Sequence, residues 1–215
     1  MKPLILFTGP VTTRSGYGAH ARDLVKSLIK MDKYDIKINS LRWGNTPWNA
    51  LNLENEEDKG IIDRILKEPN LPRQPDLHIQ VSIPTEFTPL AKYNIGVTAG
   101  MENTAPKPEW VDGMNKMDMV ICVSNFTKDT FRKVVYEQID KNTNQKTGEL
   151  RVVKPMEVLF EGVDTDIYKQ TKEFSVDLIN EMELIKEKFC FLYVGHWLQG
   201  NLGQDRKDTG MLVKT

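Results

Sequence analysis

The hydrophobic positions of this chain change period repeatedly, and each change marks an element. Leu4 to Thr8 is a short apolar run closed by Gly9-Pro10, and beyond the next loop Ala21, Leu24, Val25, Leu28 and Ile29 recur at helical spacing. The prediction is strand, loop, amphipathic helix. Ile36, Ile38 and Leu41 belong to a second strand, while Ile61, Ile62, Ile65 and Leu66 mark one face of a helix that ends before Pro69, whose ring disfavours helical backbone in the preceding residue. Between them, Trp43 to Asn55 reads as loop. Leu77, Ile79 and Val81 alternate with polar residues as in a half-buried strand, and Tyr93 to Thr98 is a further strand leading into Gly100, with Pro84 and Pro89 punctuating the gap.

The alternation continues towards the carboxyl end. Trp110, Val111, Met114 and Met117 repeat at helical intervals before a buried strand, Met119 to Val123, and Ser124 stands where an N-cap serves a helix from Phe126 to Val134. Lys141 to Arg151 is an exposed loop or hairpin tip, followed by strand material at Val152 and at Met156 to Phe160. Ser175 can cap a helix carrying Leu178, Ile179, Met182 and Ile185, after which Phe189 to Val194 is expected to be a new, fully apolar strand. No internal repeat is evident. Strands alternating with helices predict an α/β fold, a Rossmann-like, mostly parallel sheet with helices on both faces, whose ligands bind beyond the carboxyl ends of the strands. The expected division is residues 1–187 as one domain and 188–215 as the opening strand, loop and helix start of a second, truncated Rossmann-like domain. A helix of two turns has no independent stability, so the stop at Leu212-Val213-Lys214-Thr215 reads as a truncation.

Composition narrows the function classes. Of 215 residues, 40% are hydrophobic and 27% charged, enough for one full core; 29 Lys and Arg against 30 Asp and Glu leave a formal net charge of -1. Such a balance gives no global field for nucleic acid or an anionic membrane, so any phosphate binding must be local. The two cysteines, Cys122 and Cys190, each lie in an apolar run, where a thiol acts as a small buried hydrophobe, and a reducing cytoplasm is the simplest setting. Four consecutive apolar residues at the start, Leu4 to Phe7, are too few for a signal-peptide core or a membrane span. His20, Arg22, Lys26 and Lys30 lie near the polar side of the first helix, but Asp23 interrupts them, so no stable membrane association is expected.

Several segments carry candidate chemistry. Gly16-Tyr17-Gly18-Ala19-His20-Ala21 matches the G-x-G-x-x-A form of a dinucleotide fingerprint. Two details oppose nicotinamide binding: eight residues separate Phe7 from Gly16, and no acidic residue ends the second strand near Ser40 or Leu41. The loop either is simply flexible or brings Gly16, Tyr17 and Gly18 against a ligand at the mouth of the sheet. Glu102 lies in a Gly- and Pro-bounded loop after a strand, where this architecture places its site, although it could equally cap the helix holding Trp110. Asp164-Thr165-Asp166 has the D-x-D form of metal-dependent sugar transferases but reads as an ordinary turn, and His20, His78 and His196 lack metal-ligand spacing, so no metal is assigned. His78 reads as a packing or solvated residue. The last loop holds His196, Arg206 and Lys207, cations at a helix start that could face a phosphate or merely solvent.

Three segments in order resemble one family: Gly100-Met101-Glu102-Asn103-Thr104-Ala105-Pro106-Lys107-Pro108-Glu109-Trp110-Val111 running to Val123-Ser124-Asn125-Phe126; Val158-Leu159-Phe160-Glu161-Gly162-Val163-Asp164-Thr165-Asp166-Ile167-Tyr168; and Phe191-Leu192-Tyr193-Val194-Gly195 with Arg206-Lys207. Together they are similar to the family-4-like, retaining glycosyltransferases of the GT-B fold. The resemblance implies an acceptor-side first domain and the start of a nucleotide-sugar-binding second domain. It implies a nucleoside-diphosphate sugar as donor substrate, no tightly bound cofactor, and a glycan, lipid or protein acceptor. Lys207 takes the place of the diphosphate-binding lysine, with Arg206 beside it and Glu102 towards the acceptor or catalytic loop. His196 stands where the family usually has arginine, and Phe160-Glu161 replaces the usual Pro-Asn or Pro-His before Gly-Val-Asp. An imidazole offers one donor where guanidinium offers a fork, so the contact at residue 196 is altered. The family's distal acidic motif would lie beyond residue 215, so this chain alone is expected to be inactive. Two other readings stay open: a non-catalytic acceptor-binding or assembly module that needs a partner, and a nicotinamide-dependent oxidoreductase resting on the Gly16 loop alone.

Overall fold

The computed structural model describes residues 2–68, 70–100, 104–195 and 208–214. They divide into two compact units, residues 1–163 and 164–215. The helix capped by Ser175, which the sequence groups with the first domain, therefore belongs to the second unit.

The first unit is built on six parallel strands: β1 (Leu4–Gly9), β2 (Asp35–Ser40), β3 (Leu77–Val81), β4 (Tyr93–Thr98), β5 (Met119–Cys122) and a later short strand, Met156–Val158, which pairs beyond β5. The order across the sheet begins β2, β1, β3, β4, β5, so the chain runs to one edge and then crosses back past β1. Helices α1 (Gly16–Met31), α2 (Glu56–Ile62), α3 (Pro108–Asn115) and α4 (Asn125–Lys133) make the connections. An antiparallel hairpin, β6 (Tyr136–Ile139) with β7 (Lys146–Leu150), stands apart from the sheet before β8 (Met156–Val158).

Two cores separate by strand alternation. Ile5 and Phe7 of β1, Ile36 and Ile38 of β2, and Val97 of β4 join Ala21 and Val25 of α1 and Ile61 of α2 in one cluster. Val120 and Cys122 of β5 instead join Trp110, Val111 and Met114 of α3 and Phe131 of α4. Ile121, between those two, packs against the first cluster. Successive side chains of a strand point to opposite faces, so the helices flank both faces of the sheet. This is the α/β, Rossmann-like arrangement that the alternating pattern predicts.

Three expectations need correction. Ile65 and Leu66 are not helical: α2 ends at Ile62, and Ile65 forms a parallel bridge with Ile38 at the outer side of β2. The apolar spacing there serves a strand edge, which periodicity over four positions cannot separate from a helix face. Lys141 to Arg151 is a hairpin tip with its second strand, Lys146–Leu150 pairing with Tyr136–Ile139, while Val152, expected as strand material, lies in no strand. Phe189 to Val194 forms no strand, and Phe191, Leu192 and Val194 are exposed. A strand needs a neighbouring strand beside it, and neither sheet of the described residues includes this segment. Cys190 is exposed for the same reason, against the expectation of burial, whereas Cys122 is buried as its strand requires.

The second unit contains α5 (Val176–Glu183), N-capped by the Ser175 hydroxyl, and α6 (Thr209–Lys214). The Tyr193 and Thr209 hydroxyls lie 2.9 Å apart within it. Among the described residues no helix is long and apolar enough to cross a membrane.

Candidate functional site

The carboxyl ends of β1 and β4 meet in one polar cluster, held by the loop that leads into α1. Ser15 caps that helix: its Oγ accepts from the Gly18 amide at 3.0 Å, and it lies 2.8 Å from the Thr13 hydroxyl, which bonds the Pro10 carbonyl at 2.9 Å. The Arg22 guanidinium, one turn further on, donates to the carbonyls of Val11 and Thr13 at 3.0 and 2.8 Å. A loop of this length is thus fixed from both ends by its own helix. Buried carbonyls and amides find partners here, as they must.

The two glycines of the loop have different reasons. A Cβ on Gly18 would lie 2.3 Å from the Thr13 carbonyl oxygen and 2.9 Å from that of Pro10, so Gly18 lets the first turn of α1 close on the loop. Gly16 faces open space, with nothing within 4 Å of such a Cβ, and its backbone does not require glycine. Packing therefore accounts for Gly18 and leaves Gly16 available to a ligand.

Tyr17, between them, ties the loop to β4. Its hydroxyl lies 3.0 Å from Thr98 Oγ1 and accepts from the Ala99 amide at 3.1 Å, while its ring stacks on Trp43 with centroids 4.2 Å apart. Burial raises the pKa of the phenol above 10.0, a shift the Thr98 and Ala99 contacts partly oppose. Next, Gly100 adopts φ +80, and Thr127 of α4 crowds the position where its Cβ would be, at 2.4 Å, while the Thr127 hydroxyl donates to the Ala99 carbonyl. Backbone of this kind is open to glycine alone at little cost. The segment that leads to Glu102 is thereby held from α1 on one side and α4 on the other.

His20 completes the cluster. It is buried in the second turn of α1, its Nδ1 lies 3.7 Å from Glu161 Oε1, and its Nε2 is buried without a hydrogen bond. Burial lowers the imidazole pKa, with Glu161 and then Asp23 pulling it back. Glu161 follows β8, so the residue just before Gly162-Val163-Asp164 comes to the first helix. Beside them, His20, Leu24, Ile95, Ile121, Leu159 and Phe160 line a largely apolar trough of about 450 Å³.

The remaining candidates divide. Gly16, Tyr17 and Gly18 lie together at this edge, while Glu102, His196, Arg206 and Lys207 lie outside the described residues. Asp164, in the second unit, uses its carboxylate to accept the amide of Asp166 at 2.9 Å, the turn role its sequence suggests. Among the described residues no three His, Cys, Asp or Glu side chains are grouped to hold a metal ion. The sequence reading missed Trp43 and His20. A loop carrying two tryptophans, Trp43 and Trp48, was the available signal for Trp43; His20 becomes notable only when β8 delivers Glu161. Comparison with protein-family models, with curated proteins and with solved structures finds no match to this chain.

Proposed function

We propose that this chain is the acceptor-side half of a retaining glycosyltransferase of the GT-B type, with residues 188–215 opening its nucleotide-sugar-binding half. The observation that carries the reading is the Tyr17 hydroxyl bridging the Gly16–Gly18 loop to Thr98 and Ala99. It supports the resemblance because two of the segments that carry it, the one that begins at Gly100 and the one that begins at Val158, start close to that loop at the carboxyl edge of an all-parallel sheet. Ligands of open α/β sheets bind beyond that edge.

In this reading the sugar moves from a nucleoside diphosphate to an acceptor hydroxyl with retention. The departing diphosphate gains charge as the glycosidic bond breaks, and the resemblance gives Lys207, Arg206 and His196 the role of meeting that charge with positive charge and hydrogen-bond donors. Gly16 leaves room at the cleft, and Glu102 meets the acceptor or the catalytic loop. A nicotinamide reading is weaker, since β2 ends in Asn39 and Ser40 without a carboxylate for a ribose. A non-catalytic acceptor module remains the second reading, favoured by the first unit's possession of cores on both sheet faces.

Calorimetric titration of the chain and of Lys207→Ala with UDP, GDP and ADP tests the proposal. Binding of one nucleotide that is lost in the variant supports it. Failure of all three to bind removes the donor site from this chain and leaves the acceptor-module reading.

A further inference from the structure

The chain leaves the sheet at β8 and crosses to α1 with few ties. The Leu159 amide donates to the Cys122 carbonyl at 3.0 Å, the last bond of the sheet on this side. Among the described residues no hydrogen bond engages residues 160–163. Phe160 is 65% exposed, and a Cβ on Gly162 would meet nothing within 4 Å. One contact between opposite charges is left to hold this stretch, Glu161 Oε1 at 3.7 Å from His20 Nδ1.

That contact depends on a proton. At 3.7 Å a neutral imidazole makes no hydrogen bond to the carboxylate. An imidazolium attracts it through charge, and more strongly than in water, because His20 is buried and its surroundings screen less. Two carboxylates act on the ring: Glu161 from the stretch after β8, and Asp23, about one turn along α1. The phenol of Tyr17, one turn earlier, also feels the charge of Glu161. Ile95, Val97 and Ile121, the sheet residues that share a trough with His20, carry no charge. The other ring nitrogen, Nε2, is buried without a hydrogen bond, so Glu161 has no rival from that side.

We propose that residues 159–163 form a pH-dependent strap: protonation of His20 draws Glu161 in and closes the strap on α1, and loss of the proton releases it. Leu159 and Phe160 line the trough beside α1, so the strap's position sets how open that trough is. Burial lowers the His20 pKa, with Glu161 and then Asp23 opposing the shift, so the strap is open at neutral pH and closes on acidification. Closing accompanies a loss of global stability, since the buried ring takes its proton less readily than it does in the unfolded chain. The device uses residues of the first unit alone and does not depend on the donor chemistry proposed above.

Backbone ¹⁵N relaxation of the full chain tests the strap. The order parameters of Glu161 and Gly162 are followed from about pH 7.5 to about pH 5, while the His20 imidazole, assigned through its own backbone resonances, is titrated in the same samples. The expected result is a rise from about 0.6 to about 0.8 whose midpoint coincides with that of His20. Glu161→Gln, a change at a half-exposed side chain, should keep the lower value throughout. In Asp23→Asn the His20 midpoint should move to lower pH and the ordering of the strap should move with it. The proposal is overturned by order that stays flat or follows a midpoint other than that of His20. It is equally overturned by a rise that persists in Glu161→Gln, or by a His20 that takes up no proton by about pH 5.

Discussion

The Tyr17 hydroxyl lies 3.0 Å from Thr98 Oγ1, joining the first turn of α1 to the last residue of β4 across 81 positions of sequence. The same oxygen takes the Ala99 amide, so one phenol sets the spacing between the glycine loop and the segment leading to Glu102.

Tyr17→Phe keeps the ring and its stacking on Trp43 but leaves Thr98 Oγ1 and the Ala99 amide short of a partner. A loss of about 1–2 kcal/mol is expected. Urea denaturation should show a lower midpoint with an unchanged slope, the mark of lost stability without a change in compactness.

The two loop glycines should respond in opposite ways. Gly18→Ala drives a methyl group into the Thr13 and Pro10 carbonyls, which cannot swing aside as a flexible side chain can, and should cost about 1–3 kcal/mol. Gly16→Ala meets no atom and should leave stability within about 1 kcal/mol of the parent. Thermal unfolding of the two variants side by side measures the contrast.

Gly100→Ala combines a left-handed backbone with collision against Thr127. A destabilisation of about 1–3 kcal/mol is expected. Changes in the amide resonances of Ala99 and Thr127 would locate the damage at the junction of β4 and α4.

His78 gives stability a pH dependence of defined sign. Burial pushes its pKa from 6.5 down to about 4, with the Thr88 backbone offsetting part of the shift. Between those values the unfolded chain binds a proton that the folded chain refuses, so stability falls as pH drops from about 6.5 towards about 4. The full effect is on the order of 3 kcal/mol. His20, also lowered by burial, adds in the same direction. Chemical denaturation across this range, compared between the parent and His78→Gln, isolates the histidine from the carboxylates, because only the parent loses the His78 contribution.

Glu161 favours the charged form of His20 from 3.7 Å. Glu161→Gln should therefore move the His20 titration midpoint to lower pH, while leaving His78 unchanged. An NMR titration of the imidazole protons reads both at once.

Much of the first unit was legible because parallel strands buried on both faces appear as apolar runs bounded by turn residues, whatever else the chain does. Tyr93 to Thr98 is a strand with the bounds its composition suggests, and Ser124 caps α4, the helix after β5. Ile65 and Phe189 to Val194 were misread because apolar spacing records that a segment could be buried, and only a neighbouring strand decides how. The place of the glycine loop between β1 and α1 was also visible, as was the turn role of Asp164. What tertiary structure alone decided is which distant residues share a surface. Strand order places β3 beside β1, which buries His78 against Thr8; β8 returns Glu161 to His20; and the Tyr17 hydroxyl meets Thr98 because β3 separates β4 from β1 by a single strand. Periodicity is set by the local backbone, whereas these pairings depend on the crossovers between strands, and no window of sequence contains them.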